Sequence, residues 1–174
     1  MFQKEMAMRR ILYVIVMVMT AIAARAEYGE MNVGSYYTRG FKSGMDGVGV
    51  SFKGYTSYNK RRVMSLEHYF KKDGLSCYVF NYESNYLIEV GQRLRLFPAS
   101  GISVAMWHSH GGYDESDAYL RMDKKNKYKV GINLGAGAEC LINEHWLIAV
   151  EGKYQSMFEM SNQFVLLAGV HYRF

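Results

Sequence analysis

Apolar residues recur at every second position through most of this chain. In the last stretch Phe164, Leu166, Ala168, Val170, Tyr172 and Phe174 fall on one face, and Gln163, Gly169, His171 and Arg173 on the other. Side chains alternate across a strand but repeat every 3.6 residues on a helix, so a period of two predicts a strand. A weaker strand lies near Glu30 to Tyr37. In a second, Val48, Val50 and Phe52 oppose Ser51, Lys53 and Tyr55; in a third, Met64, Leu66, His68 and Phe70 oppose Ser65, Glu67 and Tyr69. The fourth sets Tyr86, Ile88, Val90, Leu94 and Leu96 against Glu83, Glu89, Gly91, Arg93 and Arg95, and the fifth runs from Ile102 to Met106. In the sixth, Tyr128 through Ile142 alternate with Lys129, Gly131, Gly135, Gly137 and Glu139. Trp146, Ile148, Val150 and Tyr154 then face away from Glu151 and Lys153, and the terminal stretch is the eighth strand.

The connections are read as alternating in length. Tyr58 to Lys60, Pro98 to Gly101 and Asn143 to His145 are short; Thr38 to Asp46, Lys71 to Ser76, Gly111 to Asn126 and Ser156 to Asn162 are longer. Short turns then share the side of the two termini, the plan of an up-and-down membrane barrel with short periplasmic turns and longer external loops. A soluble ligand-carrying barrel has the same period with its faces exchanged. Aromatic residues gathered at strand ends, the absence of a closing C-terminal helix and a chain that stops on the strand favour the membrane. The predicted fold is all-β: an eight-stranded antiparallel up-and-down transmembrane β-barrel with a polar, plugged interior.

Once the apolar face meets lipid, the polar face must point inward, because Lys or Arg at the bilayer midplane costs roughly 2–4 kcal/mol. The expected interior network is Lys53, Glu67, Glu83, Glu89, Arg93, Arg95, Lys129, Glu139, Glu151, Lys153, His171 and Arg173. Eight strands leave room for side chains only, so these acids and bases must pair, filling the lumen instead of conducting. The apolar positions Phe164, Leu166, Val170, Tyr172 and Phe174, ending on an aromatic, resemble the closing strand that outer-membrane barrels present for insertion.

The start of the 174-residue chain changes the meaning of its charge. Lys4, Arg9 and Arg10 precede the apolar run Ile11 to Ile22, and Ala24-Arg25-Ala26 supplies small residues for a signal peptidase, so residues 1–26 are expected to be a cleaved signal peptide and 27–174 the barrel. That apolar run is too short for a membrane helix. Cleavage would remove four basic residues and one acid, turning the formal +5 into +2. A nearly neutral mature chain with no basic patch gives no reason to expect nucleic-acid binding. Abundant aromatics and Gly with a single Pro suit long strands. Cys77 and Cys140 could pair in an oxidising envelope, yet alternation places Cys140 on an apolar face.

Candidate chemistry is sparse. His108 and His110 have the spacing that shares one strand face, but no further ligand stands beside them to complete a metal site. His108, Ser109 and Asp114 could form a rim hydrolase, but nothing fixes nucleophile, base and orienting group together. The glycines of 131–137 lack the Lys-Ser/Thr ending of a phosphate loop and read as room for neighbouring side chains. No cofactor is expected. Tyr113, Asp114, Glu115, Asp117, Tyr119, Arg121, Asp123, Lys124 and Lys125 form a candidate external loop, either simply solvated or a docking surface.

Glu83, Tyr86 and Glu89-Val90-Gly91 leading into Leu94, Gly-Gly-Tyr-Asp at 111–114, Gly135-Ala136-Gly137-Ala138-Glu139 and the ending from Phe164 to Phe174 together resemble the TraO family of conjugal transfer proteins. The likeness runs from about Gly47 onward. It implies an outer-membrane component of a mating apparatus, with membrane lipid and other envelope transfer proteins as partners and no enzymatic activity. The competing expectation is a stand-alone surface barrel that binds an external ligand or surface through its long loops.

Overall fold

The structure, a computed structural model, describes residues 30–72, 74–109, 126–157 and 162–174. The expected signal segment and the loop positions Tyr113 to Lys125 lie outside the described residues. The described chain forms β1 (Met31–Gly40), β2 (Met45–Ser57), β3 (Lys60–Lys72), β4 (Leu75–Tyr86), β5 (Ile88–Val90), β6 (Leu94–Ser109), β7 (Asn126–Leu141), β8 (Trp146–Met157) and β9 (Gln163–Arg173). β4 and β5 pair with β6 in a single register, interrupted at Leu87, and act as one strand. Every neighbouring pair is antiparallel, and β9 pairs with β1, so eight strands close into an up-and-down barrel. Phe174 N–H donates to Met31 O at 2.9 Å, which extends that closure past the end of β9.

The register fixes the shape. Met31 pairs Gly54, then Arg62, Ser84, Ser100, Leu134, Tyr154 and Phe164, and the path returns to β1 through Phe41, ten residues beyond its start. That offset is the shear of the barrel; with eight strands it tilts them by roughly 35–45° and leaves a lumen wide enough for side chains. From β2 onward the inward residues are odd-numbered, and in β1 they are even.

The turns correct the sequence reading. Thr38 to Asp46 is no long loop: β1 and β2 run to within four residues of each other, and Gly44 turns the chain at φ 60°. Gly74, at φ 77°, likewise lies just before β4 where a longer loop was expected. Pro98 to Gly101 is not a turn but the body of β6, paired with β7. The turn is Gly91-Gln92-Arg93, with Gly91 at φ 77°, a conformation open to glycine without a Cβ clash. The expected fourth strand is thus the tip of one hairpin, and β4 takes Leu75 and Ser76 from the expected loop together with residues 77–82, to which the alternation assigned no strand.

Outside, the wall is apolar between two sets of aromatics. Tyr58, Tyr86, Trp146 and Phe174 are exposed toward the mouth that holds the termini, and Phe41, Phe70, Tyr78 and Tyr128 toward the distal mouth. Residues such as Val50, Leu66, Ile102, Ile132, Leu134 and Val150 are exposed between them. Apolar side chains bare on the outside and charges within are the reverse of a water-soluble protein, and describe a wall solvated by lipid.

Candidate functional site

The lumen is layered along its axis. At the terminal mouth Tyr55, Leu87, Phe97 and Ala99 form an apolar cluster. Above it Arg61 Nη1 donates to Glu139 Oε2 at 2.6 Å, with both side chains fully buried. Lys53 Nζ and Arg95 Nη1 stand 3.9 Å from the same carboxylate, so three cations surround one anion. The guanidinium of Arg61 also lies over the Phe97 ring, 4.7 Å from its centroid. Gly137 makes this possible: a Cβ there would meet the Phe97 ring at 2.4 Å.

The next layer inverts the sign. Lys153 Nζ donates to Glu67 Oε1 at 3.2 Å and to Glu83 Oε1 at 3.1 Å. Tyr36 and Tyr69 donate to Glu67, and Asn133 Nδ2 donates to Glu83 at 2.8 Å. Neutral groups come next: Asn133 Nδ2 also reaches Asn81 Oδ1 at 3.0 Å, and Ser103 Oγ donates to Asn133 Oδ1 at 2.7 Å. Gln155 Nε2 donates to Ser103, and Gln163 Nε2 to Gln155. The distal end is shut by Met45, Leu75, Cys77, Val79, Ala105, Trp107 and Met157 with Tyr69. A cavity of about 30 Å³ lies in the middle, lined by Ser51, Lys53, Glu83, Glu151 and His171 among others, room for about one water. Arg61, Lys53, Glu139, Lys153, Glu67 and Glu83 each face an opposite charge, which is what low-dielectric burial demands, whereas Glu151 Oε1 is buried without a hydrogen-bond partner.

Of the residues expected inside, Lys53, Glu67, Glu83, Lys129, Glu139, Lys153 and His171 are buried in the lumen, and Glu151 is half-buried there. His171 Nε2 shares a hydrogen bond with Ser51 Oγ at 2.9 Å. Arg95 keeps its side chain only 16% exposed, and Arg173 pairs with Glu30 at the terminal rim. Two expectations are corrected. Glu89 and Arg93 are exposed, because the β5–β6 tip projects past Lys60, where β3 starts, and has no strand covering it on that side. Glu89 instead accepts from the Tyr58 hydroxyl at 2.7 Å, and this carboxylate raises the Tyr58 pKa.

Arg61, the cation most deeply placed, is not among the residues expected inside; its odd position, between outward Lys60 and Arg62, is the signal that finds it. Phe164, Leu166, Val170 and Phe174 all face outward and are exposed, with Tyr172 half-buried between Trp146 and Phe174. Cys77 lies in the lumen and Cys140 on the outer wall, both free. Among the described residues no group of His, Cys, Asp and Glu is placed to hold a metal. His108 stands on β6, while His110 and Asp114 lie outside the described residues.

A closed eight-stranded wall, apolar outside and charged within, defines a small transmembrane β-barrel of the outer-membrane type. The chain is similar to the N-terminal barrel domain of OprF from Pseudomonas aeruginosa, with a TM-score of 0.67 and 16% identity over 83% of this chain and 97% of that one. It is also similar to the outer membrane protein OprG of Pseudomonas aeruginosa, with a TM-score of 0.63, 10% identity and coverage of 83% and 95%. A third, Ail, the attachment invasion locus protein of Yersinia pestis, matches with a TM-score of 0.53, 13% identity and coverage of 83% and 97%. No family model and no curated protein matches the chain.

Proposed function

We propose that this chain is a non-enzymatic outer-membrane barrel of a conjugative DNA-transfer apparatus, anchoring or assembling other envelope transfer proteins. The observation that carries the reading is the filled lumen: Arg61 and Glu139, and Lys153 with Glu67 and Glu83, are occupied with one another, and apolar clusters shut both ends. Such a wall offers neither a conduit nor a substrate pocket, so its work falls to the rims, loops and outer surface. The choice of a mating apparatus rests on the resemblance of Glu83, Tyr86, Glu89-Val90-Gly91, Gly135 to Glu139 and the closing strand to the TraO family. The test is affinity purification of the tagged full chain from a donor strain, with mating frequency measured in its deletion. Co-purification of transfer proteins and a fall in mating support the proposal; normal mating without such partners overturns it.

A second reading, a surface barrel that binds an external ligand, is favoured by one observation. β6 and β7 pair from Leu94 to His108 and carry the long 110–125 connection, whereas the other distal turns among the described residues are tight. The similar barrel Ail has been solved with the heparin analogue sucrose octasulfate. Binding of a sulfated polysaccharide to whole cells, lost on shortening 111–125 and with mating unaffected, would select this reading.

A further inference from the structure

The outer wall is not uniformly apolar. Near the terminal mouth the register sets Gly54, Arg62 and Ser84 side by side on β2, β3 and β4, and the climbing row continues to Ser100 on β6, deeper in the wall. All four are even-numbered and therefore face away from the lumen. Lys60, two residues before Arg62 on the same face, is paired with Tyr86. Arg62 and Lys60 are exposed, and the Arg62 side chain makes no hydrogen bond or ion pair with any described residue.

Depth explains how the wall tolerates them. Arg62 and Lys72 lie ten residues apart on β3; at about 3.3 Å per residue and a tilt near 40°, that is roughly 25 Å of height, the thickness of the apolar band. Lys72 belongs to the distal interface, since its Nζ donates to Gly44 O at 3.0 Å in the β1–β2 turn. Arg62 then stands at the opposite interface, level with lipid phosphates, with the exposed Tyr86 beside Lys60 as an interfacial aromatic.

Above this polar row is a groove of about 190 Å³ lined by Val33, Val50, Phe52, Met64, Leu66 and Phe80. It starts one step up the same strands, where Phe52 pairs Met64. A cationic, hydroxyl-bearing patch beneath an apolar groove has the outline of a single amphiphile. Resting on the outer-membrane reading, we propose that Arg62 and Lys60, with the hydroxyl of Ser84, hold the phosphate of an anionic phospholipid in the periplasm-facing leaflet, one acyl chain lying in the groove. Guanidinium matches phosphate through two parallel hydrogen bonds, and Lys60 favours a headgroup without a cation of its own.

The test uses the processed barrel, stripped of lipid, refolded and offered equal phosphatidylglycerol and phosphatidylcholine, with retained lipid read by native mass spectrometry. The expected result is one phosphatidylglycerol held about tenfold or more over phosphatidylcholine, a preference lost in R62Q/K60Q and weakened in S84A, which carries less risk to folding. V50W, which fills the groove, should weaken retention of the lipid while leaving soluble glycerol phosphate equally weak in both proteins. Equal retention of the two lipids, or an unchanged preference in both R62Q/K60Q and S84A, overturns the proposal. So does a photo-crosslinker at position 62 that captures a protein in cells instead of a lipid. Absence of the chain from the outer-membrane fraction would sink the membrane reading itself, separately from any lipid preference of the refolded barrel.

Discussion

Glu139 holds three cations, and that count makes its loss costlier than the loss of any one partner. Replacing Glu139 by Gln keeps the volume but strands Arg61 and Lys53 beside each other, with Arg95 adding to the repulsion. Removing one member of a buried pair costs about 3–5 kcal/mol, and two uncompensated neighbours, Arg61 and Lys53, place E139Q at the upper end, while Arg95 keeps Glu89 at 3.5 Å. Arg61→Met is the control. It removes the 2.6 Å bond, but Lys53 and Arg95 remain 3.9 Å from the carboxylate, and Met can pack on the Phe97 ring that Arg61 covers. Its expected cost is that of a charge-assisted hydrogen bond, about 1.5–3 kcal/mol. Both variants would be refolded in detergent or vesicles and unfolded in urea, with Trp107 in the distal cluster and Trp146 on the outer rim as fluorescent reporters. A cost for R61M equal to or above that of E139Q would refute the reasoning, since the carboxylate would then not be the hub.

Three further outcomes follow from the same geometry. Lys153→Met should destabilise by about 3–5 kcal/mol by leaving Glu67 and Glu83 to repel each other, and adding Glu83→Gln should restore part of that in the same urea titration. Cys140 on the folded barrel should react with a membrane-permeant maleimide while Cys77 stays protected until boiling, and reduced and unreduced samples should migrate alike. Phe174→Ala should lower the amount assembled in the outer membrane of cells while leaving refolding in detergent nearly unchanged, as read by heat-modifiable migration, if the closing strand serves as an insertion signal.

The inward and outward faces were legible because their alternation survives almost everywhere. It fails where β4 crosses the distal apolar cluster: Leu75, Cys77 and Val79 face in, Tyr78 and Phe80 face out, and a strand apolar on both faces carries no period. The turn at Gly91 was invisible for another reason. Three turn residues leave Val90 and Leu94 with the same parity, so the pattern runs through the reversal unbroken. Pro98 supplied a false turn signal from within β6. In the lumen, charged residues could be assigned a face but not a partner, because pairing depends on the ten-residue shear, which brings Lys153 of β8 across to Glu67 of β3 and Glu83 of β4. Arg61 was hidden by its basic neighbours, and Glu89 and Arg93 were misplaced because parity carries no information about where a strand leaves the closed part of the wall.

The odd-numbered inner face has a consequence for how this chain can change. Adding or deleting one residue inside a strand would turn every later side chain of that strand to the wrong solvent, exchanging lipid for lumen along its length. The same change in a connection leaves both flanking strands as they were. Selection on such a wall therefore permits substitutions but not length changes, whereas the span from 110 to 125 is free to lengthen, shorten or be exchanged wholesale. New binding properties can arise there without revising the scaffold that carries them.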